Sequence, residues 1–168
     1  VAEPKDYRVL SALKAALQAI AVSAGFYYGV DDACVLLDPD ADVEALVAPG
    51  APRPIIIIEQ QDETWEYLAS GEVKVLTPFL VTWVHDGVPP QNEALGTPQP
   101  VSSDYRMQVY TRGIADVEKA LGVDTSLGGE VVDTRIRNRQ WLPGRNGQEV
   151  VAQLAIDCEL YRQYGVPT

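Results

Sequence analysis

The sequence predicts an α+β fold: a largely antiparallel or mixed β-sheet, two main helices packed on one face, and a long C-terminal β-hairpin. Three observations predict it. Two separate stretches carry apolar residues at three- and four-residue steps, the helical period. Strand-like runs lie between them. Residues 130–141 (EVVDTRIRNRQW) and 148–161 (QEVVAQLAIDCELY) then flank 142–147 (LPGRNG), which has turn residues at each step. The 168 residues are expected to form a single domain, 1–168, long enough to bury a sizeable core.

The first helix is expected over 7–24, where Val9, Leu10, Leu13, Ala16, Leu17, Ile20 and Ala24 make one apolar stripe and Gly25 is the stop. Val35 to Leu37 reads as a short strand or turn. Residues 38–54 are rich in proline and alanine and have room for a short helix at 43–47. The run Ile55 to Ile58 is apolar without alternation, which predicts a strand covered on both faces and central in the sheet. Residues 62–70 give no clear pattern. A long strand follows at 73–85, and Pro78 within it predicts an edge or a bulge. Residues 86–103 (DGVPPQNEALGTPQPVSS) form a polar loop, longer than compact domains usually contain. The second helix starts at a Ser102 or Ser103 N-cap, buries Met107, Tyr110, Ile114, Val117 and Leu121, and ends at Gly122.

In the hairpin, Val150, Ala152, Leu154, Ile156, Cys158 and Leu160 fall on one face, with Gln153, Asp157 and Glu159 on the other. In the preceding strand Arg135, Arg137 and Arg139 share a face by strict alternation. Pairing Leu142 with Gln148 puts Ile136 opposite Leu154 and Val132 opposite Cys158 on the core side. Arg137 then faces Gln153, and Arg135 lies diagonal to Asp157. Such exposed pairs contribute about 0–1 kcal/mol each, so cross-strand pairing is an ordinary account of the stripe. Trp141, beside Arg139 and Arg145 near the tip, is the strongest interface candidate, because aromatic and arginine side chains dominate interface hot spots.

The hydrophobic and charged fractions, 46% and 22%, are ordinary for a globular protein; the net charge of −11 is not. It argues against general nucleic-acid affinity, which needs cations to displace phosphate counterions, and against anionic membranes. No stretch has the length of apolar chain that spans a bilayer. Residues 9–24 have some features of a signal peptide, but Lys14 and Gln18 interrupt the apolar region. Cytoplasmic synthesis is the default. Of the two cysteines, Cys158 reads as a small core hydrophobe, and a disulfide with Cys34 stays open.

No catalytic constellation emerges. His85, the single histidine, stands beside Asp86 at a strand end without a nucleophile motif, and is expected to be a solvated loop residue. Asp38, Asp40 and Asp42 begin like a calcium loop, but Val43 and Pro49 occupy the positions that need glycine and a bidentate glutamate. One histidine and two distant cysteines make no zinc site. Gly128 and Gly129 precede a strand and not a helix, so they read as a turn and not as a phosphate cradle. Asp62, Glu63 and Glu66 read as a solvated acidic face. No enzyme activity, cofactor or metal is expected.

The layout resembles the tail terminator proteins of long-tailed bacteriophages, also called minor tail or tail-completion proteins. The likeness rests on the helix 9–17 (VLSALKAAL), the proline-led strand 54–59, the helix end 114–122 (IADVEKALG) that leads into a hairpin, and the ending 160–167 (LYRQYGVP). It covers most of the chain, with 38–54 and 86–103 as departures. The resemblance implies a subunit of a hexameric ring in the virion, at the head-proximal end of the tail. The ring caps the tail tube, stops its polymerisation and offers a docking face to head-completion proteins. DNA passes through the centre without specific binding, as an acidic lumen would favour. Arg135, Arg137, Arg139, Trp141 and Arg145 are the expected contacts between ring subunits, because a ring needs one patch to meet a different patch on its neighbour. The alternatives are another head–tail connector or tail tube subunit, and an unrelated binding domain or enzyme.

Overall fold

In the computed structural model, which describes residues 4–37, 53–86, 103–143 and 149–163, strands and helices follow the expected order. They are α1 (Lys5–Gln18), β1 (Val35–Leu36), β2 (Ile55–Gln60), β3 (Thr64–Tyr67), β4 (Glu72–Asp86), α2 (Ser103–Val123), β5 (Asp133–Pro143) and β6 (Glu149–Gln163). One mixed sheet has the order β1-β2-β4-β6-β5, and β3 also pairs with β4. β1 runs parallel to β2; the other pairs are antiparallel. Both helices contribute to one core on one face of this sheet, so the chain is an α+β fold.

Alternation along the two longest strands creates that core. On β4, Val73, Val75, Phe79, Val81 and Trp83 point inward, and on β6 Ala152, Leu154, Ile156, Cys158 and Leu160 do so. Burying a large side chain of this kind contributes about 1.5–3 kcal/mol. Cys158 is fully enclosed, as its place in the alternation implied. The isoleucine run of β2 is buried on both faces. Ile56 and Ile58 join the main core, while Ile55 and Ile57 pack with Cys34 and Val84 on the other side. The two cysteines therefore belong to different clusters, and both are free thiols.

Pro78 departs from expectation. It lies in the middle of the central strand β4, opposite Asp157 of β6, and not on an edge. On its other side β2 has ended at Gln60, opposite Phe79, and β3 begins at Thr64, opposite Leu76. The Pro78 carbonyl accepts from the Gln61 N–H at 2.8 Å, so the missing Pro78 donor faces that gap, where no strand requires it.

The first helix is shorter than its apolar pattern. Val9, Leu13 and Leu17 are buried, but α1 stops at Gln18. Ile20 is buried beyond the helix, and its carbonyl accepts from Val30 N–H at 2.9 Å, a bond that competes with helix continuation. Gly25, with φ of 81°, ends a short 3₁₀ turn at Val22–Ala24. In α2 Ile114, Val117 and Leu121 are buried and Tyr110 packs against the core as expected, and Met107 alone departs, at 51% exposed. Tyr105, Val109 and Ala120 are buried as well. Gly113 lies against the Trp83 ring, where an added Cβ would come 2.5–2.6 Å from ring carbons. Gly128 and Gly129, both with positive φ, turn the chain toward β5 as expected.

The expected short helix at 43–47, the acidic turn at 38–42, the loop at 87–102, the hairpin tip with Arg145 and the tail at 165–168 lie outside the described residues.

Gly113→Ala should lower stability by about 1–3 kcal/mol, because the methyl group overpacks a rigid indole. Urea unfolding of the variant beside wild type measures this; unchanged stability would mean that α2 does not need the close approach.

Candidate interaction surface

The hairpin carries the expected contact residues, and its register differs from the one expected. Arg135 lies opposite Asp157 and Ile136 opposite Ile156; the ladder then shifts at a β-bulge between Ile136 and Asn138, and Asn138 meets Ala155. The ladder is thus offset by two residues before the bulge and three after it. Alternation determines which residues face inward, but any even offset preserves that match. Ile136 therefore still packs on the core. Val132, expected opposite Cys158, precedes the strand and is 58% exposed; Val131 is buried and Thr134 faces Cys158.

The bulge also divides the arginine stripe. Arg135 Nε bonds Asp133 Oδ2 at 2.6 Å, and Arg137 Nε lies 3.6 Å from Asp157 Oδ2, both on the face away from the helices. Arg139 sits opposite Leu154, on the helix face, and its Nη1 reaches Glu118 Oε1 of α2 at 3.1 Å. The shared face expected from strict alternation is therefore lost, because one extra residue reverses the alternation beyond it. The Arg135 guanidinium holds the Asp133 carboxyl below its ordinary range. All three arginine side chains stay largely exposed, at 72%, 60% and 60%. They are accessible to a second molecule despite their internal partners.

Trp141 follows Arg139 onto the helix face. Its ring lies 4.7 Å from that of Tyr110 on α2 and is partly buried there. It ties the hairpin to the helix as well as presenting a partial surface.

A second surface was not legible in the sequence. β3 is a short strand at the opposite side of the sheet from β5, and all of its residues are exposed. Trp65 and Tyr67 lie opposite Val75 and Val73, which puts them on the helix face; Glu66 lies opposite Lys74 on the other. Glu63, expected to be solvated, accepts from Trp65 Nε1 and Thr77 Oγ1, each at 2.9 Å. Arg162, from the end of β6, lies over the Trp65 ring at 5.6 Å and pairs with Asp6 of α1. The alternation Thr64, Trp65, Glu66, Tyr67 was the available signal for this strand, but at four residues it was too short to stand out.

His85 is the clearest correction. It is fully buried within β4, opposite Val150, stacked 5.4 Å from the Trp83 ring and 4.9 Å from Tyr28. Its Nδ1 meets the Asp86 carbonyl oxygen. Asp116 of α2 is buried too, and accepts from the backbone N–H groups of Tyr27 and Tyr28 at 2.9 and 2.8 Å. These are fold-holding contacts. An apolar groove of about 570 Å³ runs between α1 and α2 over Ala12, Ala16 and Phe26. Lys119 beside it is bonded to the Ala24 and Gly25 carbonyls, and Asp124 to Ser126 and Gly128. Among the described residues no group of histidine, cysteine, aspartate or glutamate side chains could hold a metal ion.

No family model matches the chain, and no curated protein is significantly similar to it.

Burial pushes the His85 imidazole down from its ordinary 6.5 to about 4, against the raising effect of Asp86. The folded protein keeps it neutral while the unfolded chain takes up a proton below pH 6.5. The associated stability is present above pH 6.5 and is lost as the pH falls toward 4, by about 3 kcal/mol over the window. In urea unfolding, wild type should lose about 2 kcal/mol more than His85→Phe between pH 7 and pH 5. Equal losses would show that the buried neutral imidazole is not responsible.

Proposed function

We propose that this chain is a structural virion protein, a tail terminator of a long-tailed bacteriophage. It acts as a ring subunit, hexameric by resemblance, that caps the head-proximal end of the tail tube. It stops tube polymerisation and docks the head-completion proteins. Its partners are further copies of itself, the tube protein and the head-completion protein, and it needs no cofactor or chemistry of its own.

The observation that supports this reading most is the arrangement of the sheet. Helix, strands, helix and hairpin combine into one layer with both helices on one face, which is the layout that the resemblance implies. The helices cover one side, so among the described residues the strand edges and the hairpin remain as surface for assembly. The net charge of −11 suits a lumen through which DNA slides without adhering.

Gold-labelled antibody against this chain, imaged on purified virions by electron microscopy, tests the reading. A single cluster at the head-proximal end of the tail is expected. Label along the whole tail would overturn it in favour of a tube subunit, and absence from virions would remove any structural role there.

A further inference from the structure

We propose that copies of this chain join sheet edge to sheet edge, β5 of one docking against β3 of the next, with the β5 arginines set against the carboxylates and aromatic rings of the β3 edge. The inference rests on the ring reading and names its subunit contact.

Two free edges of the sheet, β3 and β5, are unlike. β3 and β5 are separated by β4 and β6, and neither has a further strand beside it among the described residues. At strand spacings of about 4.8 Å they lie roughly 14 Å apart in one molecule, so they meet only between molecules. A contact between two different edges is head-to-tail and closes into a ring when its rotation allows.

The two edges are chemically complementary. β3 itself carries Glu66, opposite Lys74 of β4, and the segment leading into it carries Asp62 and Glu63 without a lysine or arginine. β5 carries Arg135, Arg137 and Arg139 against the single carboxylate Asp133. The match also holds face by face. A sheet continued from one copy to the next keeps its helices on the same side. Away from the helices, Arg135 and Arg137 then meet Glu66; on the helix side, Arg139 meets the edge that displays Trp65 and Tyr67. Arginine recognises both a carboxylate and an indole face. Trp65 already carries Arg162 of its own chain over its ring at 5.6 Å. The bulge between Ile136 and Asn138 is what supplies arginine to both faces of β5.

Charged side chains on an edge strand also protect against unwanted pairing. That account predicts no loss of association when the charges are reversed. The edge contact predicts a specific loss and a specific rescue.

The test uses the full chain with two double variants, Arg135→Glu with Arg137→Glu, and Asp62→Lys with Glu66→Lys. Association is followed by sedimentation velocity and light scattering across a concentration series. Wild type should assemble, and each variant alone should associate at least about tenfold more weakly, because like charges then face each other. An equimolar mixture of the two variants should assemble again, since both kinds of edge contact are then complementary. Recovery on mixing excludes misfolding as the cause of the loss. If wild type assembles but the variants do so equally well, or if mixing restores nothing, the edge contact is overturned and the ring reading stands. A wild type that stays monomeric throughout overturns both.

Discussion

The ladder between β4 and β6 is the contact on which the rest of this structure depends. It pairs Glu72 with Gln163 at one end and Asp86 with Glu149 at the other, without a break across 15 residues. Its inner face is apolar except for the buried Thr77 and His85, so a slip of one residue would turn that face to solvent. β2 and β3 share the far side of β4 in succession, and β5 adds to the far side of β6. Pro78 is tolerated in this central position because the succession leaves a gap beside it.

The helices rest on that ladder through a few close contacts. Gly113 lets α2 approach the Trp83 ring to a distance no side chain would permit. The same ring contacts Tyr28 and His85, and Asp116 holds the backbone of Tyr27 and Tyr28 from the helix side. The polar groups at this junction are buried among partners. Such groups hold the segment after α1 in one place, because a buried acceptor that loses its donor costs about 1–3 kcal/mol.

The bulge in β5 connects fold to function. Without it Arg135, Arg137 and Arg139 would share a single face on the side of Asp157 and Gln153. With it, Arg139 and Trp141 turn to α2 while Arg135 and Arg137 stay on the open face. The hairpin is thereby anchored to the helix on one side and keeps charge accessible on both. In the pairs of Arg135 with Asp133 and Arg137 with Asp157 the arginines are the exposed partners, at 72% and 60%, while Asp133 and Asp157 are 29% and 16% exposed.

Sequence alone determined the fold class, both helices, the hairpin and the inward set of β6, because these follow from periodicities that repeat over ten or more residues. It also determined the double burial of Ile55 to Ile58 and the burial of Cys158. Only the tertiary structure decided the hairpin offset, since alternation constrains parity but not position. The end of α1 at Gln18 depended on the bond from Val30 to Ile20, and Met107 stays exposed although the rest of its stripe packs inward. The burial of His85 depended on rings brought from distant parts of the chain. Apart from that of Met107, each of these outcomes was set by a partner far away in sequence, and local pattern carries no record of such partners.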